Sequence, residues 1–167
     1  GVEFNESFTR FTQGSLQETG NQFDLSMEGE GFFSVMTEDG EMYTRSGDFT
    51  IDNEGFLVDN HGNFVLCENG LIQITRNNMT IDEDGNVYVN DEYESEDMVN
   101  TVDNEWENMV LLDKLKIVNF DHTDYLKKSG YDLYSETDFS GEAAIMSDAE
   151  RPKVFQGFLE MSNVNPV

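Results

Sequence analysis

Positive charge is the property that this chain has least of. Its 167 residues include 9 Lys and Arg against 35 Asp and Glu, which gives a formal net charge of −26 at pH 7. A surface of this sign repels nucleic-acid phosphates and anionic lipid headgroups. No apolar run approaches the length needed to cross a bilayer. The composition therefore argues against nucleic-acid binding and against membrane insertion.

Cysteine, histidine and proline are also scarce. The single cysteine, Cys67, excludes a disulfide within the chain, and because it follows an apolar run we predict a buried strand residue. Neither His61 nor His122 has a cysteine or second histidine at zinc-ligand spacing, and we predict exposed turn positions for both. No serine lies in a nucleophile elbow. We therefore predict no metal, no cofactor and no catalysis.

Glycine and acidic residues punctuate the chain at short intervals. An apolar residue, an acidic turn closed by glycine and a second apolar run recur around residues 52–55, 59–62 and 82–85. Asp and Asn accept hydrogen bonds from their own turns, and glycine supplies the positive φ that such turns need. This spacing predicts an all-β fold, with a meander, sandwich or barrel-like core of short hairpins. We predict at most one or two short helices, the best candidate being residues 121–129.

The abundance of acidic residues leaves two alternative functions open. The turn at residues 82–85 superficially resembles a calcium loop, although its glycine comes earlier than in an EF-hand and its flanks predict strands. An acidic, calcium-binding secreted β-domain is the first alternative. A glycan-acting enzyme with paired carboxylates is the second, although no particular pair stands out among so many.

The acidic residues are unevenly distributed along the chain. No Lys or Arg lies between Arg76 and Lys114. We predict that residues 1–74 and 109–167 together form one β core domain, with residues 75–108 as an acidic insert or small subdomain. Such an insert is either a solvated acidic lobe or a patch for a basic partner or calcium.

A short phrase occurs near both ends of the chain. Each copy has a Gln-Gly pair, one variable residue, a leucine and then a small polar cluster. Because glycine beside an apolar anchor permits close backbone approach, we predict that the two ends meet and pair. The residues of this terminal-pairing or assembly segment are Gln13, Gly14, Leu16, Thr19, Gly20, Asn21, Gln156, Gly157, Leu159, Ser162, Asn163 and Val164.

Two blocks of the sequence resemble the rod and hook proteins of the bacterial flagellum. The first block contains TQGSLQETGNQFDLSMEGEGFFSV and YTRSGDFTIDNEGFLVDNHGNFVL; the second contains LKKSGYDLYSETDFSG and VFQGFLEMSNVNPV. Positions that match the family pattern include Thr12, Gly14, Leu16, Thr19, Gly20, Asn21, Gly29, Gly31, Arg45, Gly47, Lys128, Gly130, Gln156, Gly157 and Glu160. The chain departs from the pattern at Gln22, where the family often has proline, and at Cys67, where it often has glycine. Residues 75–108 match no pattern.

The resemblance implies a structural subunit of the flagellar rod, which self-assembles into an axial tube carrying torque from motor to hook. It implies a location in the periplasmic part of the basal body and export without a cleavable secretory signal. Other rod and hook subunits would be its partners, with the surrounding basal-body rings as further candidates. We expect a trimmed core without the family's terminal helices, and hence a monomer. The run LKIVNFDHTDYLKKSGYDLY leans toward the proximal rather than the distal rod type.

Overall fold

A computed structural model describes residues 10–74, 78–90 and 109–162. This part of the chain is built almost entirely of short strands, with one 3-10 turn at Thr123–Tyr125, so the all-β prediction is confirmed. The strands are β1 (Leu16–Glu18), β2 (Leu25–Glu28), β3 (Phe32–Thr37), β4 (Gly40–Thr44), β5 (Thr50–Ile51), β6 (Leu57–Val58), β7 (Phe64–Cys67), β8 (Gly70–Leu71), β9 (Met79–Ile81), β10 (Asn86–Asn90), β11 (Met109–Lys114), β12 (Ile117–Asn119), β13 (Lys127–Lys128), β14 (Tyr134–Ser135), β15 (Ala144–Ile145), β16 (Lys153–Gln156) and β17 (Phe158–Glu160).

Ten of these strands form the main sheet, in which every pair is antiparallel. Its central order is β13-β14-β4-β3-β7-β6-β5; in addition, β8 pairs with β7, β12 pairs with β3, and β15 pairs with β12. Most neighbours are joined by hairpins, but β12 pairs with β3 across a long stretch of sequence, through Ile117↔Phe33 and Val118↔Phe32. The second half of the chain therefore completes a sheet that the first half begins.

Three smaller antiparallel sheets surround the main one. They have the orders β11-β10-β9, β16-β2 and β1-β17. Two of them join strands from opposite ends of the sequence, since β1 pairs with β17 and β2 pairs with β16. The described strands thus form separate open sheets and not a closed barrel.

Three of the tight turns share one hydrogen-bonding pattern. In each, the Oδ1 atom of an aspartate accepts from the backbone N–H groups two and four residues later, at 2.9–3.0 Å. The glycine in each turn has φ between 80° and 86°, a region that side chains disfavour. The acidic residues at the start of these turns are Asp52, Asp59 and Asp82, and the glycines are Gly55, Gly62 and Gly85.

One large hydrophobic core connects most of the sheets. It contains Leu25 and Val35 from the first strands, Met79 from β9, Ile117 from β12 and Val154 from β16, all at most 1% exposed. A smaller cluster of Phe32, Tyr43, Val118, Phe120 and Leu126 lies beside it. Strands from residues 78–90 therefore bury side chains in the same core as the rest of the chain. The division of the sequence into a β core and an insert at residues 75–108 stays a prediction.

The predicted helix at residues 121–129 is wrong. Only Thr123–Tyr125 forms a 3-10 turn, and Lys127–Lys128 forms β13, which pairs with β14. The chain leaves helical geometry at Leu126, where ψ is 139° and the side chain is buried in the smaller cluster. Tertiary burial of this leucine therefore overrides the local helix signals. His61 and His122 are exposed, as predicted, whereas the acidic residues 91–108 lie outside the described part of the chain.

The aspartate turns supply a first prediction. We expect Asp82→Ala to lower the free energy of unfolding by about 1–2 kcal/mol, because two backbone N–H groups lose their acceptor. Asp84→Ala is the matched control, since Asp84 is exposed and its side chain accepts no hydrogen bond within the described residues. Urea denaturation measures both. Equal destabilisation by the two substitutions would contradict a structural role for the turn carboxylate.

The single thiol supplies a second prediction. Cys67 lies in β7 and is 2% exposed, as the sequence predicts, and burial raises the pKa of its thiol. Only an exposed thiolate reacts with a soluble disulfide reagent. We therefore expect the rate of Cys67 modification in the native protein to be lower than the rate in denaturant by a factor of about 1,000 or more. Reaction at the unfolded rate under native conditions would show that β7 opens without global unfolding.

Candidate functional site

The two ends of the chain meet in an antiparallel strand pair. Strands β1 and β17 pair in the register Leu16↔Glu160, Gln17↔Leu159 and Glu18↔Phe158. Beyond one end of this pair, the N–H groups of Thr19 and Gly20 both donate to the Gly157 carbonyl at 2.7 and 3.1 Å. Beyond the other, Met161 N–H donates to the Ser15 carbonyl at 2.8 Å. The predicted pairing of the terminal segments is therefore confirmed.

The two glycines of the repeated phrase are both buried but serve different ends. A Cβ atom on Gly14 would overlap the backbone carbonyl of Met161, so only glycine fits between the two segments. Gly157 has φ +82°, and its N–H donates to the Asp24 carbonyl at 2.8 Å. Gly14 thus permits close approach, whereas Gly157 permits a backbone turn between β16 and β17.

A largely buried ion pair fastens the strand pair to the main sheet. The guanidinium of Arg45 donates to both carboxylate oxygens of Glu160, at 3.0 and 2.8 Å, and the two side chains are 16% and 10% exposed. Glu160 also accepts from Gln13 Nε2 at 2.5 Å and from Gly14 N–H at 3.0 Å. A bidentate arginine–carboxylate contact of this kind is strong and fixes orientation.

The remaining donors of Arg45 extend the network to the loop between β2 and β3. Its Nη1 donates to the carbonyls of Gly29 and Gly31 at 2.7 and 2.9 Å. Gln13 reaches the same loop, because its Oε1 accepts from Gly29 N–H at 2.9 Å. The site therefore joins an N-terminal segment, an internal loop and the last strand through fixed polar contacts.

The other glutamine of the phrase, Gln156, uses its side-chain amide to bond to backbone groups of β9, as a neighbouring strand would. Its Nε2 donates to the carbonyls of Gln22 and Met79, both at 2.8 Å, and its Oε1 accepts from Ile81 N–H at 3.0 Å. The Oε1 of buried Gln22 accepts from Met79 N–H at 3.0 Å. Two side-chain amides thus join β9 to β16 and to the segment that precedes β2, on the side where no described strand pairs with β9.

The remaining predicted residues contribute less. Leu16 and Leu159 are only half-buried, so polar contacts hold the ends together more than apolar anchoring does. Thr19, Gly20, Asn21 and Ser162 are exposed, and Asn21 accepts from Phe23 N–H at 2.9 Å in a local turn. Asn163 and Val164 lie outside the described residues.

Sequence reasoning missed Arg45 and Glu160 as site residues, although both stand in the family motifs. Their partners lie far apart in the sequence, 115 positions in the case of the ion pair. One signal was available: Arg45 is among only 9 basic residues in the chain and ends the short run Met42-Tyr43-Thr44-Arg45, whose residue types are typical of a strand. A rare cation in such a place is expected to have a specific carboxylate partner.

The part of the chain that the structure describes offers the site no metal-binding cluster. Within the described ranges, no cluster of three or more His, Cys, Asp or Glu side chains has the geometry to hold a metal ion. The turn aspartates, which suggested calcium, direct Oδ1 to backbone N–H groups instead.

A cleft of about 400 Å³ opens beside the strand pair, lined by Arg10, Phe11, Lys128, Tyr134 and Met161 among others. No helix in the described part of the chain is long and apolar enough to span a membrane.

An all-β body with its two ends joined by strand pairing and buried polar contacts defines a structural domain that presents its ends together. Comparison with known families agrees with this class. Residues 26–89 match the family model described as "Flagellar hook protein FlgE/F/G D1 domain". The chain is similar to the bacterial flagellar rod and hook proteins, both in this domain and in individual relatives.

Individual relatives match across most of the chain. The flagellar basal-body rod protein FlgG of Bacillus subtilis is 35% identical over 90% of this chain and 54% of its own length. FlgG of Buchnera aphidicola subsp. Acyrthosiphon pisum is 34% identical over 92% of this chain and 55% of its own length. The flagellar basal-body rod protein FlgF of Caulobacter vibrioides is 32% identical, with 94% and 56% covered. The chain thus spans a little over half the length of these relatives.

The ion pair supplies a third prediction. We expect Arg45→Ala to lower the free energy of unfolding by roughly 3 kcal/mol, because it leaves the Glu160 carboxylate buried without its cation. Lys153→Ala removes the same charge from an exposed site with no ion-pair partner among the described residues, and it serves as the control. Thermal and urea denaturation at equal ionic strength measure both variants. A loss no larger than that of the control would show that the pair adds nothing to stability.

Proposed function

We propose that this chain is the β body of a structural subunit of the flagellar rod, which assembles into an axial tube and transmits torque from motor to hook. The observation that carries the proposal is the register of β1 and β17. Because Leu16 begins β1, Glu160 ends β17 and these residues are paired, the chain enters and leaves the body at the same point. The matching family model and the names of the relatives support the same function.

Torque transmission requires that the body cannot rotate relative to its attachment. A single pair of short strands would twist, since isolated two-stranded ribbons are marginally stable. The Arg45–Glu160 contact and the Gln13 amide tie this pair to the loop that precedes β3 in the main sheet. We infer that load applied at the paired ends passes into the main sheet through these buried polar contacts.

The assembly partners follow from the same proposal. Other rod and hook subunits would be the neighbours, and the surrounding basal-body rings are further candidates. A tube requires heterologous contacts, in which one patch meets a different patch on the next copy. With a net charge of −26, bodies of this kind repel one another at short range, so this chain alone should be a monomer.

The cellular location and chemistry complete the proposal. We infer a place in the basal body within the periplasm, reached by export without a cleavable secretory signal. The chain would act as a building block and not as an enzyme, because Gln13, Arg45 and Glu160 at the paired ends are bonded to one another and to backbone. The calcium-binding alternative gains no support from the turn geometry.

A glycine substitution tests the proposal in the full-length protein. We expect Gly14→Ala to block rod assembly, because its Cβ would separate the two terminal segments at Met161. The body should stay folded, since the large core does not include Gly14. Swimming of cells that produce the variant, together with electron microscopy of their basal bodies, reports assembly, and circular dichroism of the purified protein reports folding.

Ser15→Ala is the matched control for this experiment. Ser15 is the exposed neighbour of Gly14 and contributes its backbone carbonyl, which alanine keeps. Normal motility is expected from this control. A folded Gly14→Ala protein that assembled normally would refute the idea that close terminal pairing is needed in the rod.

A further inference from the structure

Two aromatic rings lie exposed together on the surface formed by residues 121–145. Phe139 is 65% exposed and Tyr125 is 44% exposed. Their ring centroids lie 5.7 Å apart with the planes tilted by 40°, and the ring of exposed His122 is 6.3 Å from that of Tyr125. Exposed aromatic pairs of this kind are costly in water and often mark binding surfaces.

The loop that carries Phe139 is held rigidly by hydrogen bonds. Thr137 Oγ1 donates to the Tyr125 carbonyl at 2.8 Å and accepts from Ser140 N–H at 3.1 Å. Ser140 is fully buried, its Oγ accepts from Thr137 N–H at 2.8 Å, and its carbonyl accepts from His122 N–H at 3.2 Å. The exposed ring is therefore mounted on a fixed turn that is fastened to the turn carrying Tyr125. A preorganised aromatic side chain loses little entropy on binding.

The charge around the rings indicates what they would bind. Asp124 and Asp138 directly precede the two aromatic residues and are both exposed. The chain as a whole is strongly acidic, which disfavours any anionic ligand. Aromatic faces beside carboxylates suit a guanidinium, which stacks on rings and pairs with carboxylates at the same time.

We propose that Tyr125 and Phe139, with Asp124 and Asp138, form a docking surface for an arginine-containing basic segment of a partner protein. The surface lies outside the paired ends of the chain, and it can bind such a segment whether or not the chain builds a tube. Arginine would be preferred over lysine, because the flat guanidinium covers a ring face more fully than an ammonium group does.

The test uses the whole chain and two synthetic peptides. One peptide alternates glycine with three arginines, and the other replaces each arginine by lysine. Nuclear magnetic resonance titration follows the ring signals of Tyr125 and Phe139, and calorimetry gives the affinity. We expect the arginine peptide to shift these ring signals first, and we expect Phe139→Ala to weaken its binding about threefold to tenfold.

Matched variants separate this surface from general acidity. Tyr131→Ala removes another exposed aromatic residue, which stacks on His61 instead, and it should leave the affinity unchanged. The double variant Asp124→Asn with Asp138→Asn should bind more weakly than Glu38→Gln with Glu150→Gln, which changes the net charge equally at other exposed positions. The melting temperature of each variant confirms that it is folded.

Three results would overturn the proposal. The first is equal binding of the arginine and lysine peptides together with no effect of Phe139→Ala, which would indicate diffuse electrostatic attraction. The second is a larger shift of the same rings by tri-N-acetylglucosamine, a neutral ligand that also stacks on aromatic faces. The third is a shift of these rings with protein concentration alone, which would assign the surface to contact between copies of this chain.

Discussion

The carboxylate of Glu160 is the point at which three distant parts of the chain are joined. It accepts hydrogen bonds from the N-terminal segment through Gln13 and Gly14, and from the main sheet side through Arg45. Arg45 in turn binds the carbonyls of the loop between β2 and β3. Groups withdrawn from water in this way are stable only when all their partners are present. The position of the last strand is therefore determined by polar geometry, whereas the hydrophobic core determines the shape of the body.

The side-chain amides of two glutamines bond to the backbone of β9 in the way that a neighbouring strand does elsewhere in the structure. Gln156 and Gln22 bond to backbone groups of β9 that no described strand pairs with. Gln22 is buried, and its amide oxygen supplies the acceptor for Met79 N–H. A polar residue in the interior is tolerated because its hydrogen bonds are made.

Features that depend on short sequence patterns could be predicted from the sequence, whereas polar contacts between residues far apart in the chain could not. The aspartate–glycine turns, the strand position of Cys67 and the pairing of the two ends all follow from short patterns, and the structure contains each of them. The helix at residues 121–129 failed because burial of Leu126 outweighed local propensity. Arg45 and Glu160 were not assigned because nothing in either local segment identifies a partner 115 positions away. A rare positive charge at the end of a short run typical of a strand was the one available clue.

The register of β1 and β17 has a consequence for how such bodies can vary. Because the chain enters the body at Leu16 and leaves it at the paired Glu160, the residues between them begin and end at the same place. Hairpins could be added between these two residues or removed without changing the distance between the two flanking segments. The size and the surface of the body can therefore change while the distance and direction between the two flanking segments stay constant.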